Sequence, residues 1–328
     1  MPNVRVLAAL QRECMGRLKS HTDPQIMSIA SSLSAIGALY QDTQDALRNE
    51  VRQRGRLLDL DRGTNHLSFK NVLNGINVVF ETDHFAVINK PPGIVVSLTK
   101  DLDDEHIRRT SSGGVSPELQ TLIQEVSPFP ISSDPRFAYG ILHRLDRDTS
   151  GALLIAKSFE AFYDLRLQFS CNLISKEYTT LVHGPIRPMG HPVVLDSRIS
   201  TQKSMSAGSV VLKSSVSDDM TSKHARTIVE PMSILKNPSD ERLYTLARVR
   251  IETGRSHQIR IHMSSLGHPI VNDTKYGNLP TLGRTFLHAS KLAFLDPACD
   301  APVSVCANLP PDILEFISTL EVMEEMGE

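Results

Sequence analysis

The stretch HRLDRDTSGALLIA, residues 143–156, limits what this chain can fold into more than any other segment. Five titratable side chains, His143, Arg144, Asp146, Arg147 and Asp148, fall within six positions, and an apolar run from Ala152 to Ala156 follows the Thr-Ser-Gly turn at once. A short continuous apolar run behind a turn reads as a strand buried on both faces. The charges must then sit at the rim of a sheet, where the chain enters its core. A carboxylate held there beside a guanidinium stays ionised at neutral pH, because an opposite charge lowers its pKa. Asp146 could therefore serve as a nucleophile or an electrostatic stabiliser. Taken alone, however, the stretch fits a structural ion pair beside a turn better than an active site.

At 328 residues the chain has room for one large domain or two ordinary ones, and a 40% hydrophobic share supports a sizeable core. A net charge of −2 argues against a polybasic tail while leaving room for a local basic surface. Cys14, Cys171, Cys299 and Cys306 are scattered without a Cys-x-x-Cys pair, which suits a reducing compartment and offers neither a disulfide framework nor a zinc knuckle. No apolar run approaches the roughly 20 residues of a membrane span. The expected location is the cytoplasm, with an organelle or the nucleus as alternatives. Residues 1–20 carry Arg5, Arg12, Arg17 and Lys19 against Glu13 alone. That balance allows a transit peptide, although a mobile terminus with surface charges accounts for it equally.

Along the chain, helical patterning comes first and strands follow. Residues 23–58 read as helix, with Asp23 as N-cap, Pro24 in the first helical position, and Ile26, Ile29, Leu33 and Ile36 in one apolar stripe. Residues 1–75 are thus expected to form an N-terminal helical extension, with no chemistry to identify in it. INVVFETDHFAVINKPPG, from residue 76, reads as two short strands closed by Pro91, Pro92 and Gly93. Residues 97–137 are polar, with a helix around PELQTLIQEV, and Ser158 is placed to cap a helix carrying Phe162, Leu165 and Phe169. SKEYTTLVHGPI alternates as a strand that sets Lys176, Tyr178 and Thr180 on one face. The Ser-rich segment 199–223 reads as a flexible surface loop, and 316–328 as an acidic C-terminal tail. In YTLARVRIETG, Thr245, Ala247, Val249 and Ile251 lie opposite Arg248 and Arg250. SHQIRIHMSSLGHP then reads as a helix capped by Ser256 and buried through Ile259, Met263 and Leu266. Strands outnumber helices and mostly succeed one another, which predicts an α+β fold with a mainly antiparallel central sheet flanked by helices.

The segment 241–262 holds five arginines against two acids, with His257 and His262 besides. Arg255 lies in a Thr-Gly-Arg turn before a helix N-terminus, where free backbone N–H groups and a guanidinium favour a phosphate or carboxylate. A solvated charged face needs fewer cations at one junction, so polyanion binding is the better reading. Metal chemistry fares worse, because His257 and His262 are five apart and point to different faces of a helix. Ser150 lacks the Gly-x-Ser-x-Gly frame of a nucleophile elbow, and neither a Gly-x-Gly-x-x-Gly nor a Walker loop occurs. A site without cofactor or metal, built on a carboxylate, an arginine and a tyrosine, is the expectation.

HRLDRDTSGALLIAKS resembles the signature of the RluA family of RNA pseudouridine synthases, His-Arg-Leu-Asp followed by Thr-Ser-Gly. INKPPGIVV (88–96), SKEYTTLVHG (175–184), ETGRSHQIRIHMSSLGHPIVNDTKYG (252–277) and LHA (287–289) are similar to further family segments, in the same order. The resemblance implies a pseudouridine synthase fold over residues 76–315, with an active-site cleft across the sheet. It implies a base-flipping isomerase that cleaves N1–C1′ of uridine and reattaches the uracil through C5, acting on rRNA or tRNA and needing no cofactor. It also implies that Asp146 is the catalytic carboxylate, that Arg255 pairs with it, that Tyr178 contacts the base, and that Arg144 fills the space the flipped uridine leaves. His143, Lys176, Arg248, Arg250, His257 and Arg260 are the further expected RNA contacts, and a monomer is expected. Residues 1–75 do not match the small N-terminal RNA-binding domain of many members. The rival reading is a non-catalytic RNA-binding or folding factor on the same scaffold, which would have no physical reason to keep Asp146, Tyr178 and Arg255 together.

Overall fold

The computed structural model describes residues 15–62, 68–69, 76–96, 118–127, 129–206, 209–277 and 283–325. Most of the basic N-terminus and of the polar segment 97–117 therefore lies outside the described residues. Six α-helices and eleven strands are named here: α1 (Asp23–Ala35), α2 (Gln41–Arg62), β1 (Asn77–Glu81), β2 (Phe85–Lys90), α3 (Leu119–Val126), β3 (Ser150–Ala156), α4 (Phe159–Ser170), β4 (Ser175–His183), β5 (Val193–Ser206), β6 (Ser209–Ser217), β7 (Lys223–Lys236), β8 (Leu243–Ile251), α5 (Gln258–Ser265), β9 (Leu287–Leu295), β10 (Pro302–Cys306), α6 (Pro311–Ser318) and β11 (Glu321–Glu325). The strands form one sheet in the order β1-β2-β3-β9-β4-β8-β7-β5-β6, with β10 on β9 and β11 on β7. Every pairing between these strands is antiparallel except β3 with β9, so the architecture is the expected α+β with a mixed sheet.

The parallel junction is short, pairing Ser150 with His288 and Gly151 with Ala289. Gly151 has φ +121°, and a Cβ there would lie 2.3 Å from the Ala289 carbonyl oxygen. Only glycine lets the two backbones close at this point. Ser150 reinforces the seam through a 2.9 Å hydrogen bond with His288 Nδ1, while His288 Nε2 bonds the Ala307 carbonyl at 3.0 Å. Strand β3 is buried at all seven residues, as its apolar run demands. The loop holding Asp146 therefore leads directly into a fully buried strand.

The N-terminal helices correct the expectation of one continuous helix over 23–58. The chain breaks after Ala35, where Gly37 takes φ +67°, and resumes at Gln41. Ile36 consequently falls outside the helix and is 49% exposed, while Ile26 and Ala30 are fully buried. Thr22 rather than Asp23 precedes the helix, its N–H donating to Gln25 Oε1 at 2.7 Å. Asp23 instead accepts from Arg54 at 2.7 Å and from the Tyr163 hydroxyl at 2.6 Å. Both helices rest on α4, which Ser158 caps as expected by accepting from the Ala161 N–H. Where α2 crosses α4, a Cβ on Gly55 would lie 2.3 Å from Glu160 Cα. Beside this crossing Asp164, fully buried, accepts from Arg48 at 2.7 Å and from Arg52 at 2.9 Å, and both arginines reach Asp300.

Two further expectations are corrected. Segment 199–223 is no loop, because β5 and β6 pair from Arg198–Ser217 to Ser206–Ser209 as a long hairpin and β7 begins at Lys223. The backbone of both strands is satisfied by the ladder they form, although their Ser-rich composition suggests a loop. Of the expected tail 316–328, the described residues 316–325 are not free either. The last turns of α6 use 316–318, and β11 extends the sheet by pairing with β7.

Asp164→Asn should leave two buried guanidinium groups without their shared carboxylate. The expected loss is about 3–5 kcal/mol of unfolding free energy, read by urea denaturation of the whole chain. A loss below about 1 kcal/mol would show that Asp300 alone satisfies both arginines.

Candidate active site

Asp146 lies in the loop between Ile141 and β3, at the rim of the sheet, with its side chain 21% exposed. Two neighbouring loops fix the backbone there. The Thr149 N–H donates to the Asp146 carbonyl at 3.1 Å, and the Gly93 N–H to the Arg147 carbonyl at 2.8 Å. Lys90, fully buried at the end of β2, sends its ammonium to the carbonyls of Pro91, Ile94 and Arg147 at 2.8, 3.0 and 3.1 Å. Burial pulls the Lys90 pKa down to about 7 against the attraction of Asp148 and Asp146. Three acceptors nevertheless match the three N–H groups of an ammonium, which a neutral amine cannot supply. The Lys-Pro-Pro-Gly and Asp-Arg-Asp-Thr-Ser-Gly segments are thus one clamped unit.

The partner of Asp146 is Arg260, which corrects the expectation for Arg255. Arg260 Nη1 lies 3.2 Å from Asp146 Oδ2, while its Nε and Nη2 each donate at 2.8 Å to the fully buried Asp273. Arg255 turns away and donates from Nε to the His224 carbonyl at 2.8 Å. The cause is where the helix begins. His257, not Ser256, stands at the cap position, and it adopts a left-handed φ of 54°. Residues 253–257 stay in a turn, and Arg260 occupies the first helical turn facing the cleft. In Thr-Gly-Arg-Ser-His-Gln-Ile-Arg both arginines carry the same chemistry, so only the cap geometry separates them.

Burial alone would raise the Asp146 pKa, but His257, Arg260 and Arg144 bring it below the ordinary aspartate value. His257 Nε2 lies 3.8 Å from Asp146 Oδ1, and its Nδ1 shares a 2.9 Å hydrogen bond with the Tyr276 hydroxyl. Burial lowers the His257 pKa as well, despite the nearby carboxylate. The ring's help therefore fades as it loses its proton, whereas the guanidiniums of Arg260 and Arg144 stay charged beside Asp146. Tyr178, 8% exposed on β4, has its pKa raised by burial and then by Asp146, and it faces the cleft as a neutral phenol.

Arg144, Thr149, Ile251, Arg255 and Leu287 complete the cleft, an open space of about 620 Å³. Three other side chains that the sequence offered as RNA contacts or cations are placed differently. His143 accepts the Leu154 N–H at 3.0 Å and packs against Phe169, and burial followed by Lys176 pushes its pKa down to about 3. Its neutral ring belongs to the sheet. Arg248 is neutralised across the strands by Glu230 at 3.1 Å and Glu177 at 3.5 Å. His262 bridges Ser197 and Thr227 inside the core. Arg250 and Lys176 remain along the groove that opens beside the cleft. Asp273 has no signal of its own in the sequence, since nothing in VNDTKYG distinguishes its carboxylate from that of a turn residue.

A clamped carboxylate, a guanidinium fixed by a second, fully buried carboxylate, and a neutral phenol thus meet in one cleft, an arrangement able to stabilise charge beside the carboxylate. A family model described as RNA pseudouridylate synthase matches residues 84–265, more than half of the chain. The chain is 32% identical over 248 residues to ribosomal large subunit pseudouridine synthase D of Zymomonas mobilis subsp. mobilis, covering 73% of this chain and 70% of that one. It is 28% identical to the protein of that name in Haemophilus influenzae, covering 98% of this chain and 96% of the other. The solved structure of human RNA pseudouridylate synthase domain containing 1 shares the fold, with a TM-score of 0.55, 22% identity, and coverage of 78% of this chain and 92% of that one. This chain belongs to the RNA pseudouridylate synthase family, and it is an isomerase that converts uridine in RNA to pseudouridine. Among the described residues no helix is long and apolar enough to cross a membrane.

Arg260→Gln should expose the opposing effect of burial on Asp146. The group whose folded pKa is depressed is ionised above that pKa, so the acid limb of kcat/KM should lie below about pH 4 in the wild type. In the glutamine variant the limb should move upward toward neutrality, with a lower plateau. An unmoved limb would mean that Arg260 does not set the charge state of Asp146.

Proposed function

We propose that the substrate is a uridine of large-subunit ribosomal RNA, flipped out of its helix into the cleft, and that Asp146 is the catalytic carboxylate. The observation that carries this reading is the Asp273–Arg260–Asp146 relay, whose Arg260 and Asp146 line one cleft with Tyr178. The relatives' names supply the ribosomal assignment. Flipping is needed because neither N1 nor the C5 edge of a stacked, paired uracil can meet a protein carboxylate. Asp146 is ionised and dry on one side, suited to stabilise or trap the electron-poor C1′ as N1–C1′ breaks, in the manner of a glycosidase carboxylate. After the uracil turns, C5–C1′ forms, the C5 proton is lost and N1 regains a proton, so the reaction balances as an isomerisation. Tyr178, as a phenol, donates a hydrogen bond to the turned base. Arg144, exposed at the mouth of the cleft, occupies the gap left in the RNA stack.

Asp146→Asn keeps the side-chain volume and removes the charge. Tritium release from RNA labelled at uracil C5 should fall by at least about 10³-fold, while RNA affinity and thermal stability stay near the wild-type values. Appreciable release by this variant would remove Asp146 from the chemistry. Mapping of pseudouridine in cells lacking the protein should show the loss in large-subunit ribosomal RNA; a loss confined to transfer RNA would overturn the ribosomal assignment.

A further inference from the structure

Beside the catalytic cleft runs a second, larger depression of about 1,640 Å³, compared with about 620 Å³ for the cleft itself. Ile251 and Arg255 line both, so the two form one continuous surface. One wall comes from β7, β8 and the turn before α5 and carries Arg226, Arg250 and Arg255; Lys176 of β4 lies between the walls. These four cations face a single lining carboxylate, Glu252, on a chain whose net charge is −2. Glu252 and Asp196 both pair with Arg226. Among the described residues Lys176, Arg250 and Arg255 form no ion pair with any carboxylate, and Arg250 is exposed. Positive side chains kept close together without counter-charges favour a polyanion.

The opposite wall is built by the N-terminal helices. Ser31, Ser34 and Ala35 of α1 line the groove, together with residues 171–175 that follow α4. Ser34 Oγ donates to the Cys171 carbonyl at 2.6 Å and locks the end of α1 against that loop. The carbonyls at the negative end of a helix would ordinarily repel a phosphate. Here those of Ser32, Leu33 and Ser34 already accept the N–H groups of Ile36, Ala38 and Gly37 at 3.3, 2.8 and 3.0 Å. The helix end is therefore a quiet surface facing three uncompensated cations.

We propose that this groove receives the single strand of RNA adjoining the target uridine, and that α1 of the N-terminal extension is its outer wall, so that the extension takes part in choosing the RNA. The inference rests on the reading of the cleft as the site of the flipped uridine. A strand tracked by cations is bound through its phosphates, with weak dependence on base identity.

The test adds negative charge to the outer wall without removing packing. Ser31→Glu/Ala35→Glu changes two exposed groove positions, and Asn49→Glu/Gln53→Glu adds the same charge at exposed positions of α2 that do not line the groove. Binding is measured by fluorescence anisotropy with a labelled oligouridylate of about 12 nucleotides, and turnover by tritium release from labelled ribosomal RNA. The groove variant should weaken oligouridylate binding by at least about fivefold and raise KM while leaving kcat unchanged; the α2 variant should change neither. Arg250→Ala, on the facing wall, should make the salt dependence shallower by about 0.7 in log–log slope. Wild-type binding by the groove variant, or equal weakening by the α2 variant, would overturn the groove as an RNA path. Oligouridylate binding needs no turnover, so this outcome is independent of the ribosomal assignment, which fails instead if the wild-type protein releases no tritium from ribosomal RNA.

Discussion

The cation in direct contact with Asp146 is a guanidinium that is itself held in place by a buried acid. Asp273 has no exposed side-chain surface and takes two of the N–H groups of Arg260, leaving the third side of the fork to Asp146. A carboxylate brought this far out of water would favour its protonated form. The fixed cation reverses that preference, and because Asp273 anchors it, Arg260 keeps its orientation whether or not substrate is present. Preorganised charge of this kind costs no rearrangement during reaction. The same pair is made directional by Arg's planar fork, which a lysine cannot reproduce.

The relay would be useless if the loop carrying Asp146 could drift. The fold prevents this by tying that loop to two places at once. On one side Lys90 satisfies three carbonyls drawn from the Lys-Pro-Pro-Gly turn and the Asp146 loop. On the other, Gly151 allows β3 to approach β9 at the sheet's parallel seam. Both devices are backbone-level constraints, where small displacements are costly because interiors are close-packed. The charged run of residues 143–148 is thus tolerated at the edge of a buried strand because every local backbone demand around it is met by a neighbour.

The N-terminal helices are integral to this body rather than appended to it. Asp164 in α4 gathers Arg48 and Arg52 of α2, and Asp23 in α1 gathers Arg54 and the Tyr163 hydroxyl. Buried ion pairs of this type fix one arrangement of elements more than they add stability. Their consequence for function is positional, since they hold the end of α1 beside the strand turn from which the cleft opens.

Much of this was legible in the sequence. The apolar run after Gly151 required a buried strand, period-two alternation set Tyr178 on one face with Thr180 and Val249 opposite Arg248 and Arg250, and the ordered motifs pointed to the family and to Asp146. These features are local, because strand periodicity and turn chemistry are written in neighbouring residues. Composition misled over 199–223, where serine-rich strands find their hydrogen bonds in β7 and in each other, and over 321–325, which pair with the edge that β7 offers. The choice between Arg255 and Arg260 lay beyond sequence. Five residues apart and chemically identical, they are distinguished by a left-handed His257 that delays the helix by one residue, and by Asp273, which the fold brings across from a later turn. Residue types and their order therefore determined which chemistry the chain carries. Which arginine serves the carboxylate, and which is left to face the groove, is decided by long-range packing.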